Sequence, residues 1–240
     1  SGHPITPDPR PIMTGNPAMI MGFLVQPPDQ HRTALKELFQ RHNTPVLEVH
    51  SGELLLEFLD QHPDASGLVI TESELPMMSG RRLINKLTSM NYLVSMMLYA
   101  ETVCVNEYVE TMKRQCLPPQ LKPSPDDIMW NQILDGLSVA AKWRGLKREL
   151  DEVNERLRSL DKDTAATLPM FLEGKRIPVI AQSMGVSRRT IERRKQTIFN
   201  TFDVFHECEV QELMLRMRAI QLELDRRYLS SWESEKGHGN

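Results

Sequence analysis

The 240-residue chain carries 29 Lys and Arg against 32 Asp and Glu, a formal net charge of −3, with 40% hydrophobic and 25% charged residues. That is the make-up of a soluble globular protein of one large or two ordinary domains. It excludes a chain coated throughout in nucleic acid and leaves room for one local basic face. Cys104, Cys116 and Cys208 lie far apart, match no metal or redox spacing, and read as thiols of a reducing cytoplasm. No apolar run approaches the ~18 residues of a membrane span. No basic-then-apolar signal segment opens the chain, so it reads as cytoplasmic.

Residues 1–18, with Pro4, Pro7, Pro9, Pro11 and Pro17, read as a disordered leader. Ser1-Gly2-His3, with no methionine before it, resembles an expression scar. A short apolar run at Ile20–Val25 ends at Pro27-Pro28 and suits a buried strand. Helical spacing follows over Gln30–His42, then a strand at Val46–Val49. Ser51 caps a helix carrying Leu54, Leu55, Phe58 and Leu59. Gly67–Ile70 is a third strand, Ser79 opens a helix through Leu83, Ile84 and Leu87, and Leu93–Tyr99 is a fourth strand. A helix over Val103–Arg114 precedes a weak, proline-interrupted strand near Leu117–Leu121. This βα order, repeated with short links over residues 19–138, predicts a (βα)5 doubly wound parallel sheet with helices on both faces.

From Asp126 to Leu160 no strong helix breaker intervenes. Val139, Trp143, Leu146, Leu150, Val153, Leu157 and Leu160 alternate spacings of four and three, a seam of about three heptads. Residues 139–160 therefore read as a linker helix. Its seam suits a parallel two-stranded coil between two copies; packing on its own domains is the alternative. Residues 161–232 show no strand-like alternation. Helices fit Thr164–Glu173, Pro178–Met184, Arg188–Phe202 and Glu207–Leu229, an all-α domain with an extended last helix. Residues 233–240 read as a frayed tail.

The third of those helices carries Arg188, Arg189, Arg193, Arg194 and Lys195, five basic side chains against the single acid Glu192. Pro178 suits a first helical turn, and Gly185 can take the positive φ of a tight inter-helix turn. Ser187 is a good N-cap. Val186, Ile191 and Ile198 then face a small core and the basic residues face outward. A solvated charged helix would look similar by charge alone, but turn, cap and charge together predict a helix-turn-helix that enters the DNA major groove. Arg188, Arg189 and Thr190 suit phosphates, Glu192, Arg193 and Gln196 lie where base edges can be reached, and Arg194 and Lys195 complete the expected DNA-binding set.

Leu160 to Glu209 resembles, without gaps, the LuxR-type output domain of FixJ/NarL-like response regulators. The matching residues are Gly174, Ile180, Ala181, Gly185, Val186, Ser187, Arg189, Thr190, Ile191, Glu192, Lys195 and Ile198. Departures are Thr164 and Ala166 at positions usually acidic, Arg194 where histidine is usual, and Thr201 at a late lysine. The resemblance implies a receiver domain upstream, in agreement with the βα order. A receiver of that family needs an acidic pair for Mg²⁺ after the first strand and an aspartate nucleophile after the third. It also needs a hydroxyl after the fourth strand and a lysine after the fifth.

Here Glu72-Ser73-Glu74-Leu75-Pro76-Met77-Met78-Ser79-Gly80 resembles the nucleophile loop with Glu72 in place of aspartate. Gln26 and Pro27 stand where the acidic pair belongs, and Asp29 lies beyond two prolines. Tyr99 takes the hydroxyl position, Lys122 is kept, and Pro119 occupies the aromatic switch position. The expectation is a pseudo-receiver without aspartyl-phosphate chemistry, in which Glu72 and Lys122 form an ion pair or stand as ordinary strand-end polar residues.

The chain thus reads as a non-enzymatic, sequence-specific DNA-binding regulator acting as a homodimer, with no cofactor or metal. Control would come from a protein partner, a small ligand at the receiver, or abundance. The alternatives are phosphorylation-dependent switching at a non-standard site, and a protein-interaction adaptor that does not bind DNA.

Overall fold

Strands that are apolar on both faces belong in the middle layer of a three-layered sandwich, and the chain supplies them. The computed structural model describes residues 20–90, 92–113 and 116–235. Ile20–Val25 (β1), Val46–Val49 (β2), Ser66–Thr71 (β3), Leu93–Ala100 (β4) and Gln120–Leu121 (β5) form one parallel sheet in the order β2-β1-β3-β4-β5. Every residue of β3 and β4 is buried. The chain steps outward from β1 to β2 and then returns to β3 on the other side. The reversal opens a crevice at the strands' carboxyl ends.

Alternate residues send their side chains to opposite faces. Phe23, Val25, Val69, Val94 and Met96 pack with α2 (Gly52–Gln61) and α3 (Gly80–Ser89). Leu24, Ile70, Met97 and Tyr99 pack with α1 (Gln30–Arg41) and the first turns of α5 (Asp126–Ser159). Ser51 and Ser79 cap α2 and α3 as expected, accepting from the Leu54 and Arg82 N–H groups. The expected strand over Leu117–Leu121 shrinks to two residues, because Pro118 and Pro119 cannot donate to a ladder. α4 spans Val105–Lys113.

The chain divides into two compact units, one made of the chain up to Arg144 together with the chain from Arg226 onward, the other running from Gly145 to Asp225. α5 is unbroken across that division. In the second unit α6 (Lys162–Leu172), α7 (Ile177–Met184), α8 (Arg188–Phe202) and the start of α9 (Glu207–Glu235) accompany the end of α5. Its core includes Leu150, Val153, Leu168, Phe171, Ile180, Ile191, Ile198 and Val210. α9 is longer than the predicted Glu207–Leu229 and enters the expected tail as far as Glu235. The leader over residues 1–18 and the end of the tail, 236–240, lie outside the described residues.

The α5 seam is partly covered within the single chain. Trp143, Leu150 and Val153 are already buried within the single chain, and Val139, Leu146 and Leu157 are half-buried. Arg216 of α9 ties to Glu149 beside the seam, its Nη2 donating to Oε2 at 3.0 Å. An a/d stripe is satisfied by any helix laid along it. Among the described residues no helix is long and apolar enough to cross a membrane.

Candidate nucleic-acid interface and the sheet-edge charge cluster

At the carboxyl edge of the sheet, Glu72 follows β3 and Lys122 follows β5. The Lys122 side chain is 3% exposed and its ammonium is ion-paired with Glu72. Its second partner is Asp29, whose Oδ2 accepts at 3.3 Å. Sequence reasoning set Asp29 aside because of the two prolines before it. As N-cap of α1 it accepts from the Arg32 N–H at 2.7 Å, and that cap holds the carboxylate over the crevice. An aspartate immediately before a helical pattern was the signal that could have placed it.

The Lys122 ammonium also lies 5.3 Å from the centroid of the Tyr99 ring. Burial raises the Tyr99 phenol above its ordinary range, outweighing the Ser124 backbone bond and the Lys122 charge that pull it down. For Asp29 burial acts upward as well, but the Arg32 N–H and the Lys122 charge prevail and hold the carboxyl below its usual value. Gly80 fixes the loop that carries Glu72, since a Cβ there would lie 1.8 Å from the Glu72 carbonyl oxygen.

A divalent cation does not fit this donor set. Gln26 presents a neutral amide in place of a carboxylate; it is fully buried, and neither amide atom has a hydrogen-bond partner among the described residues. The Gln26 backbone carbonyl, by contrast, accepts from Arg32 Nη1 at 3.1 Å. The two carboxylates that do reach the crevice are both engaged by an ammonium that would repel Mg²⁺. Pro27 adds no donor at all.

In the second unit α7 ends at Gly185, which adopts φ +66° and ψ 30° in the left-handed region. Two residues later Ser187 caps α8, its Oγ accepting from the Thr190 N–H at 3.1 Å. Thr190 is half-buried, and its hydroxyl shares a 2.8 Å hydrogen bond with that of Ser187. Ile191, Arg194, Ile198 and Phe202 form the buried stripe of α8 at spacings of three and four. Arg188, Arg189, Glu192, Arg193 and Gln196 stand exposed on the opposite face.

Arg194 is therefore a correction: it belongs to the buried stripe and not to the outward set. Its guanidinium pairs with Asp163 of α6, and Nη1 lies 3.7 Å from the Met184 sulfur. A buried guanidinium needs a carboxylate, and an acid one place before Thr164 supplies it. Lys195 is half-buried, 2.5 Å from Glu207 Oε1 and 5.2 Å from the Phe199 ring centroid.

No protein-family model and no curated protein matches the sequence. Among solved structures, the response regulator StyR is similar with a TM-score of 0.70 at 20% identity, over 82% of this chain and 98% of that one. Full-length FixJ from B. japonicum gives a TM-score of 0.47 at 19% identity, over 83% and 98%. RcsB from Salmonella enterica serovar Typhimurium, bound to promoter rprA, gives 0.42 at 14% identity, over 81% and 99%. The StyR likeness shows a response-regulator fold, with a receiver-like five-stranded parallel sheet.

Proposed function

We propose that the chain is an atypical response regulator that binds specific double-stranded DNA through α8, as a homodimer, under a pseudo-receiver that aspartyl phosphorylation does not switch. In this reading residues 19–138 are the pseudo-receiver, 139–160 the linker helix and 161–232 the helix-turn-helix domain. The observation that carries it is the sorting of side chains on α8. One stripe is buried, while Arg188, Arg189, Glu192, Arg193 and Gln196 share the exposed face immediately after a glycine turn and a serine cap.

Arg188 and Arg189 at the helix start suit phosphates, reinforced by the positive end of the helix dipole. Further along, Arg193 and Gln196 have the donor geometry for guanine and adenine edges, and Glu192 accepts from cytosine. Pairing of two recognition helices is supported by α9, where Leu215 and Leu222, seven residues apart, are exposed. Half-sites then fall about one helical turn apart. The pseudo-receiver reading rests on Lys122 being held by Glu72 and Asp29, and on the neutral Gln26. Control then falls to a protein partner, a small ligand at the crevice, or abundance.

Selection of bound duplex from a random pool at two salt concentrations tests the DNA reading. A palindromic consensus that survives the higher salt supports it. Retention of random duplex with no consensus, lost steeply with salt, would reduce α8 to a non-specific basic face. The competing reading, in which Glu72 accepts a phosphoryl group, predicts Mg²⁺-dependent modification by a small phosphodonor at that residue.

A further inference from the structure

The basic side chains of α8 fall into three states. Arg188, Arg189 and Arg193 are exposed, and among the described residues none of them is ion-paired. Arg194 is held inside by Asp163. Lys195 lies between these: its side chain is 27% exposed, with Glu207 Oε1 2.5 Å from the ammonium and the Phe199 ring face beneath it. It forms part of the wall of a hollow of about 500 Å³ that also takes in Gln196 and Asn200, on the exposed side of the same helix.

We propose that Glu207 is an internal competitor for Lys195, occupying the ammonium until a backbone phosphate of duplex DNA replaces it. The proposal rests on α8 binding DNA. Three observations make the exchange feasible. The pair is partly open to water, with Glu207 49% exposed, so it is held weakly. Glu207 opens α9, where the helix dipole keeps a carboxylate in a favourable place after Lys195 has left. The start of α9 does not depend on the pair, because Glu209 accepts from the Phe205 and His206 N–H groups at 2.6 and 3.1 Å. The Phe199 ring face meanwhile lies beneath the ammonium, which need only turn from carboxylate to phosphate. A cation that must first leave an in-chain acid contributes less to DNA affinity than a free one, and Glu207 sets that discount.

Binding of the full-length chain to one mixed-sequence duplex, followed by fluorescence anisotropy across a salt series, decides it. Glu207→Gln is expected to raise affinity about two- to fivefold at low salt, the weight of a partly exposed ion pair. The same change in a Lys195→Ala background is expected to do nothing, because its effect runs through Lys195. Glu212→Gln, an exposed carboxylate further along α9, controls for simple loss of negative charge and is expected to leave affinity near wild type. Equal gains in both backgrounds, an equal gain from Glu212→Gln, or no gain while the wild type binds duplex would overturn the competitor. Absence of duplex binding by the wild type would instead remove the DNA reading on which it rests, and the two failures are distinguishable.

Discussion

The sheet edge and the exposed face of α8 use the same kinds of side chain to opposite ends. At the edge, the ammonium of a lysine side chain only 3% exposed is enclosed by two carboxylates and an aromatic ring, and its charge is consumed inside the fold. On α8, three arginines face solvent without an ion pair among the described residues, and their charge remains available. What separates them is which neighbouring element brings an acid. α1 and the β3–α3 loop deliver carboxylates to Lys122, α6 delivers one to Arg194, and none reaches Arg193. A buried cation needs its partners to stay folded, and an exposed one contributes little to stability but much to a polyanionic ligand.

Lys122→Ala should break the comparison most strongly on the side of folding. It leaves Glu72 and Asp29 facing each other at the crevice, at a cost of about 2–4 kcal/mol. Chemical denaturation would register this as a lower midpoint with an unchanged slope. Should the midpoint stay within error of wild type, the cluster would be an incidental surface arrangement. Arg193→Ala should do the reverse. Its stability should move by no more than about 0.5 kcal/mol, while discrimination at one base pair falls by about 1–3 kcal/mol. A uniform loss across all sequences would reassign Arg193 to a phosphate.

Gly185→Ala tests the turn that separates the two kinds of residue. The left-handed φ of +66° costs an alanine about 1 kcal/mol. A melting temperature lowered by a few degrees, with the DNA consensus unchanged, would show a turn that serves stability alone. Loss of the consensus at full stability would show instead that the turn aims α8.

Much of this division is legible in the residues themselves. Apolar runs such as Leu93–Tyr99 could only be buried strands, and Ser51, Ser79 and Ser187 announced their helices by standing immediately before helical spacing. Side-chain fates within a charge run are harder. Arg193, Arg194 and Lys195 look alike in sequence, and their separation into exposed, buried and acid-bound depends on Asp163 and Glu207 arriving from other helices. The α5 seam was ambiguous for a related reason: an a/d stripe records that a helix will be covered but not by which chain. Asp29 was weighed as a charge and set aside for the prolines before it, but proline spacing says little about where a capping side chain ends up.

The smallest expected effect concerns pH, and its sign follows from two groups at different places on the receiver-like unit. Asp29 has a folded-state pKa below its ordinary 3.8, so the folded protein gives up that proton more readily than the unfolded chain. Its contribution is present above the unfolded pKa and is lost as pH falls through the acid range below about 4. Tyr92 runs the other way. Burial, with Asp60 accepting from its hydroxyl at 2.5 Å, pushes its pKa up to about 12 from 10.0. Its contribution is intact below pH 10 and declines as pH rises from there through the folded value. Denaturation midpoints of wild type and Asp29→Asn should therefore converge below about pH 4 and separate above it. Wild type and Tyr92→Phe should instead keep a constant gap through neutral pH that narrows only in strong alkali. Midpoints that coincide for wild type and Asp29→Asn at every pH would mean that the aspartate acts only as a helix cap, a role the asparagine retains, and that its charge does not hold Lys122 at the sheet edge.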